Sequence, residues 1–137
     1  MRRFVLSLLL LLFTLPVFAQ DATVQITFPE SVSTVQGIVT ITGTINPPDL
    51  QSYFFEVADA SADPNTAVWT PVTLPSNVPV AGGALAQFNT SIVANGVYTL
   101  RVRVIHTSGE ITVVTVTPGR IENDPNAPPP QTAAQPT

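Results

Sequence analysis

Apolar residues fall at every second position in several short runs of this chain, the period of a half-buried strand. Val97 to Ile105 is the longest run: Tyr98, Leu100, Val102 and Val104 share one face, with Thr99, Arg101 and Arg103 on the other. Val24, Ile26 and Phe28 alternate with Thr23, Gln25 and Thr27. Val39, Ile41 and Gly43 alternate with Thr40, Thr42 and Thr44, and Tyr53, Phe55 and Val57 form a further set. Ile111 to Val116 closes the series, although the adjacent pair Val113-Val114 leaves either face open as the buried one. Turn formers stand between the runs: Asn46-Pro47-Pro48-Asp49, Asp63-Pro64-Asn65, Gly82-Gly83, Asn95-Gly96 and Ser108-Gly109. Short strands at regular spacing, with no helical crossover between them, predict an all-β domain of antiparallel sheets packed face to face, about seven strands in all.

The start of the chain has a different character. Met1-Arg2-Arg3 is followed by an uncharged apolar stretch from Phe4 to Phe18, shorter than the ~20 residues a spanning helix needs. Pro16 breaks that stretch, and Val17 and Ala19 occupy the small-residue positions read by a signal peptidase. Residues 1–19 are therefore expected to be a cleaved signal peptide, with the mature chain starting at Gln20 and leaving the cytoplasm. Losing Arg2 and Arg3 would leave three arginines, Arg101, Arg103 and Arg120, against nine acids, and there is no lysine. Phosphate binding needs clustered cations, so nucleic acid and anionic membranes are not expected partners. The chain has no cysteine, so the domain, expected over 20–122, must be held by its core. Residues 123–137 contain five prolines, one charge and no large apolar residue, and read as a disordered tail or linker.

Two segments resemble a bacterial immunoglobulin-like (fibronectin type III-like) domain of exported cell-envelope proteins. Gly37-Ile38-Val39-Thr40-Ile41-Thr42-Gly43-Thr44 is similar to that family's second strand. Gly96-Val97-Tyr98-Thr99-Leu100-Arg101-Val102-Arg103-Val104 is similar to its penultimate one. Tyr53-Phe54-Phe55-Glu56 and Trp69 fall where the family carries comparable residues, and the resemblance spans roughly Ile26 to Val116. It implies a single immunoglobulin-like sandwich in which Tyr98 turns its ring inward and bonds its hydroxyl to nearby backbone. Leu100 would then stand in the place of the second cysteine of antibody domains, and Phe55 in that of their central tryptophan.

Few residues invite chemistry. His106 is the sole histidine, near Ser108 and Glu110, and is expected to sit exposed in the hairpin around Ser108-Gly109. Glu56, Asp59 and Asp63, with Asn65, form the best cluster for calcium, which prefers six to eight oxygens. Their spacing matches no EF-hand, and acids beside Pro64 also serve ordinary turns, so no cofactor is assigned. Trp69 has two readings. A bulge at Pro71 would turn it over the core beside Val72; regular alternation would leave it exposed, a platform for a sugar or peptide. Arg101 and Arg103 are expected to pair with carboxylates such as Glu56 or Glu110 on neighbouring strands. Asn89-Thr90-Ser91 matches a glycosylation sequon, a pattern too common to carry weight.

These observations lead to an expectation of a non-enzymatic, monomeric module, secreted or held in the cell envelope, serving as a spacer or protein-interaction domain. One alternative is a carbohydrate-binding module using Trp69, Tyr53 and Phe54 against an envelope polysaccharide. Another is a protease inhibitor acting through end loops.

Overall fold

A computed structural model describes residues 23–123 and 126. The expected signal peptide, with Val17, Ala19 and Gln20, lies outside the described residues, as does nearly all of the expected tail. Among the described residues there is no α-helix. Eight strands form two sheets: β1 (Val24–Phe28), β2 (Thr34–Val35), β3 (Ile38–Ile45), β4 (Leu50–Asp59), β5 (Thr70–Pro71), β6 (Val80–Asn89), β7 (Gly96–His106) and β8 (Ile111–Ile121). A single 3-10 turn, Thr90–Ile92, follows β6. One sheet has the order β1-β3-β6 and the other β2-β8-β7-β4-β5.

The alternation seen in the sequence fixes which face of each strand is buried. Ile41 and Ile45 of β3 meet Tyr53, Phe55 and Val57 of β4 and Leu100, Val102 and Val104 of β7 between the sheets. The Tyr53 and Phe55 rings pack edge to face, their centroids 6.3 Å apart. Burying each such side chain contributes roughly 1.5–3 kcal/mol, which a chain without disulfides depends on. Gly43 is required by sheet geometry: a Cβ there would run into the Gln25 carbonyl of β1. On β8 the open question of face is resolved by register. Val114 lies opposite Val102 and Val116 opposite Leu100, so both turn to the core, while Ile111 and Val113 lie outside.

The beginning of the domain serves both sheets. β1 pairs antiparallel with β3, and after the Pro29–Ser33 turn β2 pairs in parallel with the end of β8. Val32 takes a left-handed φ of 62° in that turn, a rare conformation for a β-branched residue, and its N–H donates to Pro118 O at 3.1 Å.

One expectation needs correction. Gly82-Gly83 is not a turn between strands but lies inside β6. Gly82 adopts φ 62° there, and the β3–β6 register slips on either side of the Gly43–Gly83 pair, so the glycines mark irregularities within a continuous strand. Contacts of the domain also reach Asn123, the residue after the expected end at 122. Asn123 Oδ1 accepts from Thr90 Oγ1 (2.7 Å) and Gly37 N (3.3 Å), and Asn123 N donates to Asn95 Oδ1 (2.9 Å).

Candidate functional site

Three groups of polar side chains stand out, and each is built by pairing across strands. The first lies on the outer face of the five-stranded sheet. Glu56 of β4 sits directly opposite Arg101 of β7, and Phe54 opposite Arg103. Both Nε and Nη2 of Arg101 donate to Glu56 Oε1, at 2.8 Å each, and Arg103 Nε lies 3.8 Å from the same oxygen. The guanidinium of Arg101 lies under the Trp69 ring, 3.7 Å from its centroid, and that of Arg103 stands 6.0 Å from the Phe54 ring. Glu56 is only 4% exposed although it faces away from the core. The arrangement is an ion cluster: the buried carboxylate sits between two cations, Trp69 covers Arg101, and Arg103 stays about a third exposed, its Nε too far from Glu56 for a hydrogen bond. Glu110 takes no part in these ion pairs.

Trp69 therefore does not cover the core. β5 continues in regular alternation through Pro71, with Pro71 opposite Glu56 and Val72 N donating to Phe55 O at 2.9 Å. That parity turns Val72 inward and Trp69 outward over Arg101. Half-buried there, Trp69 has its Nε1 enclosed with no hydrogen-bond partner among the described residues. Tyr53 belongs to the core, its hydroxyl donating to Val78 O (3.1 Å), so it cannot join Trp69 in an exposed aromatic line.

The second group surrounds His106, which is buried rather than exposed. Its Nδ1 lies 2.7 Å from Asp49 Oδ1 and its Nε2 2.7 Å from Thr112 Oγ1. Neutral imidazole can donate to the carboxylate and accept from the hydroxyl. Hydrogen bonding to His106 holds the Asp49 carboxyl below the ordinary carboxylate range, outweighing the opposing effect of desolvation. Thr107 N also donates to Asp49 O (2.9 Å), so the β7–β8 hairpin is tied to the loop before β4. The order Asp–His–Thr resembles a nucleophile relay, but Thr112 sits in the β8 ladder opposite Val104. Ser108 and Glu110 bond each other within the hairpin instead, Glu110 N donating to Ser108 Oγ at 3.3 Å.

The third group is the acidic set, and it does not converge. Glu56 is consumed by the arginines. Asp59 accepts from Ser61 Oγ (2.6 Å) and Ser61 N (2.8 Å), which holds its carboxyl below the ordinary range. Asp63 accepts from Asn65 N (2.9 Å). These are turn-forming hydrogen bonds, and the described residues contain no group of three metal-ligating side chains. In the sequon, Asn89 Oδ1 accepts from Ser91 and caps the 3-10 turn.

Tyr98 donates its hydroxyl to Ala94 O at 2.7 Å and leans on the core, which it shares with the buried Leu100, Phe55 and Ile41. The fold defines the molecule as an all-β protein of two packed sheets. Compared with known protein families, curated proteins and solved structures, the chain matches none.

Proposed function

We propose that the protein is an exported, immunoglobulin-like module of the cell envelope, without catalytic activity, that serves as a spacer or a protein-interaction domain. The observation that carries the reading is the strand order. A first strand divided between two sheets, a β4–β7–β8 centre and a tyrosine hydroxyl bonded back to backbone four residues earlier support an immunoglobulin-type sandwich. The fate of the reactive side chains supports it further. Glu56, His106, Asp49 and both strand arginines are spent on each other, in contacts that brace strands.

The carbohydrate reading rests on Trp69 and Phe54, which share the outer sheet face. One side of Trp69 is already stacked on Arg101, which leaves a single half-open ring for a sugar. Incubating the purified protein with an envelope extract and with a polysaccharide panel separates the readings. Retention of a defined protein partner is expected from an interaction domain, and retention of nothing reduces the proposal to the spacer. Retention of a polysaccharide, lost on Trp69→Ala, would replace it with the carbohydrate reading.

A further inference from the structure

The five-stranded sheet has one edge left bare. β8 pairs with β7 along its length, but on its other side β2 covers only Arg120 and Ile121. From Ile111 to Thr117 no strand of the described residues is hydrogen-bonded to it on that side. Alternate peptide groups along that stretch point away from β7, and each unpaired N–H and C=O is a hydrogen-bonding site for an extended chain. The stretch reads Ile-Thr-Val-Val-Thr-Val-Thr, all β-branched, with no charge, glycine or proline to discourage pairing. Other edges are irregular: β5 has two residues including Pro71, β1 slips register between Ile26 and Phe28, and β6 slips register near its glycines.

Beside this edge runs an open groove of about 470 Å³, between β8 and β1. Val24 and Ile26 line it from β1, Val114 and Val116 from β8, and Glu30 is the one charged residue on its wall. A strand laid along β8 would send alternate side chains toward those four apolar residues and the others toward solvent, beside Thr115. Glu30, in a chain of net charge −4, favours a basic end on the occupant and disfavours an acidic one.

We infer that the β8 edge and the β1–β8 groove form a strand-addition site for an extended peptide of a partner protein, apolar at alternate positions and basic at one end. This deepens, and rests on, the interaction-domain reading. The probe is a synthetic peptide alternating valine and threonine between lysines, titrated into the ¹⁵N-labelled protein. Amide shifts are expected to concentrate at residues 111–117 and 24–30. They should be lost in Thr115→Pro, and reduced in Val24→Phe, which narrows the groove from β1 without touching the β8 ladder. The same peptide flanked by glutamates should bind about threefold or more weakly. Equal binding by the glutamate peptide overturns the assigned partner charge. Shifts centred on Trp69 or residues 59–65 overturn the groove while leaving an interaction domain standing. Failure of both peptides to bind overturns the proposal, whereas the wider reading falls only if envelope extract also yields no partner.

Discussion

The two sides of the five-stranded sheet are finished in different ways. Along β4 the segment 70–76 closes the edge. Thr70 and Pro71 pair with Val57 and Glu56, Thr73 Oγ1 accepts from Phe55 N (2.9 Å), and Ser76 exchanges two hydrogen bonds with Tyr53. Pro71 and Pro75 within that segment lack N–H groups, so its outward side offers few donors to a further strand. Along β8 the cover, made by residues 32–35, stops at Pro118. The sealed side is also where the ion cluster sits, with Trp69 lying over Arg101. One side of the sheet is built to end it, and the other is chemically able to continue it.

Substitutions that attack the sealed side should cost stability. Glu56→Ala has the largest expected effect, because it strands Arg101 and Arg103 without their buried counter-charge. A loss of about 3 kcal/mol is expected in chemical denaturation. A loss below about 1 kcal/mol would mean that water already serves the two arginines. Thr73→Val removes the acceptor for Phe55 N at the edge and should cost about 1–3 kcal/mol. Val is nearly isosteric with Thr, so an unchanged midpoint would show that this part of the seal contributes nothing.

Much of this arrangement was legible in the sequence because it depends on period two. Alternation at Val39–Gly43, Tyr53–Val57 and Tyr98–Val104 identified three central strands and their inward residues. It was blind where partners are distant in the chain. His106 looked like a hairpin residue because Asp49, which draws it inward, lies 57 positions away. Trp69 kept two readings, core or exposed, because its stacking partner Arg101 is on another strand. β6 was hidden by Gly82-Gly83, a pair that serves a bulge as readily as a turn.

Acid should act on the open end of the same sheet. Asp49 has a lowered folded pKa, so its stabilising effect is present above the unfolded carboxyl value and is lost as pH falls through the folded one. Asp59 follows the same sign. Unfolding midpoints should therefore decline from about pH 4 downward, and more gently in Asp49→Asn. An identical acid profile for that variant would show that the His106 tie does not couple to folding. The smallest effect on stability is expected from Thr117→Lys on the bare edge, within about 0.5 kcal/mol. That variant should nonetheless resist aggregation better than the parent, because a charge on an edge strand opposes edge-to-edge pairing.

Hydrogen–deuterium exchange resolved to single amides tests the contrast between the two edges most directly. In the protein alone, alternate amides between Ile111 and Thr117 should exchange nearly as fast as loop amides. Those of Tyr53 and Phe55, bonded to Ser76 O and Thr73 Oγ1, should be protected to near the limit of global unfolding. Equal protection along both edges would contradict the account, since something, whether another stretch of the chain or a second copy, would then already cover β8.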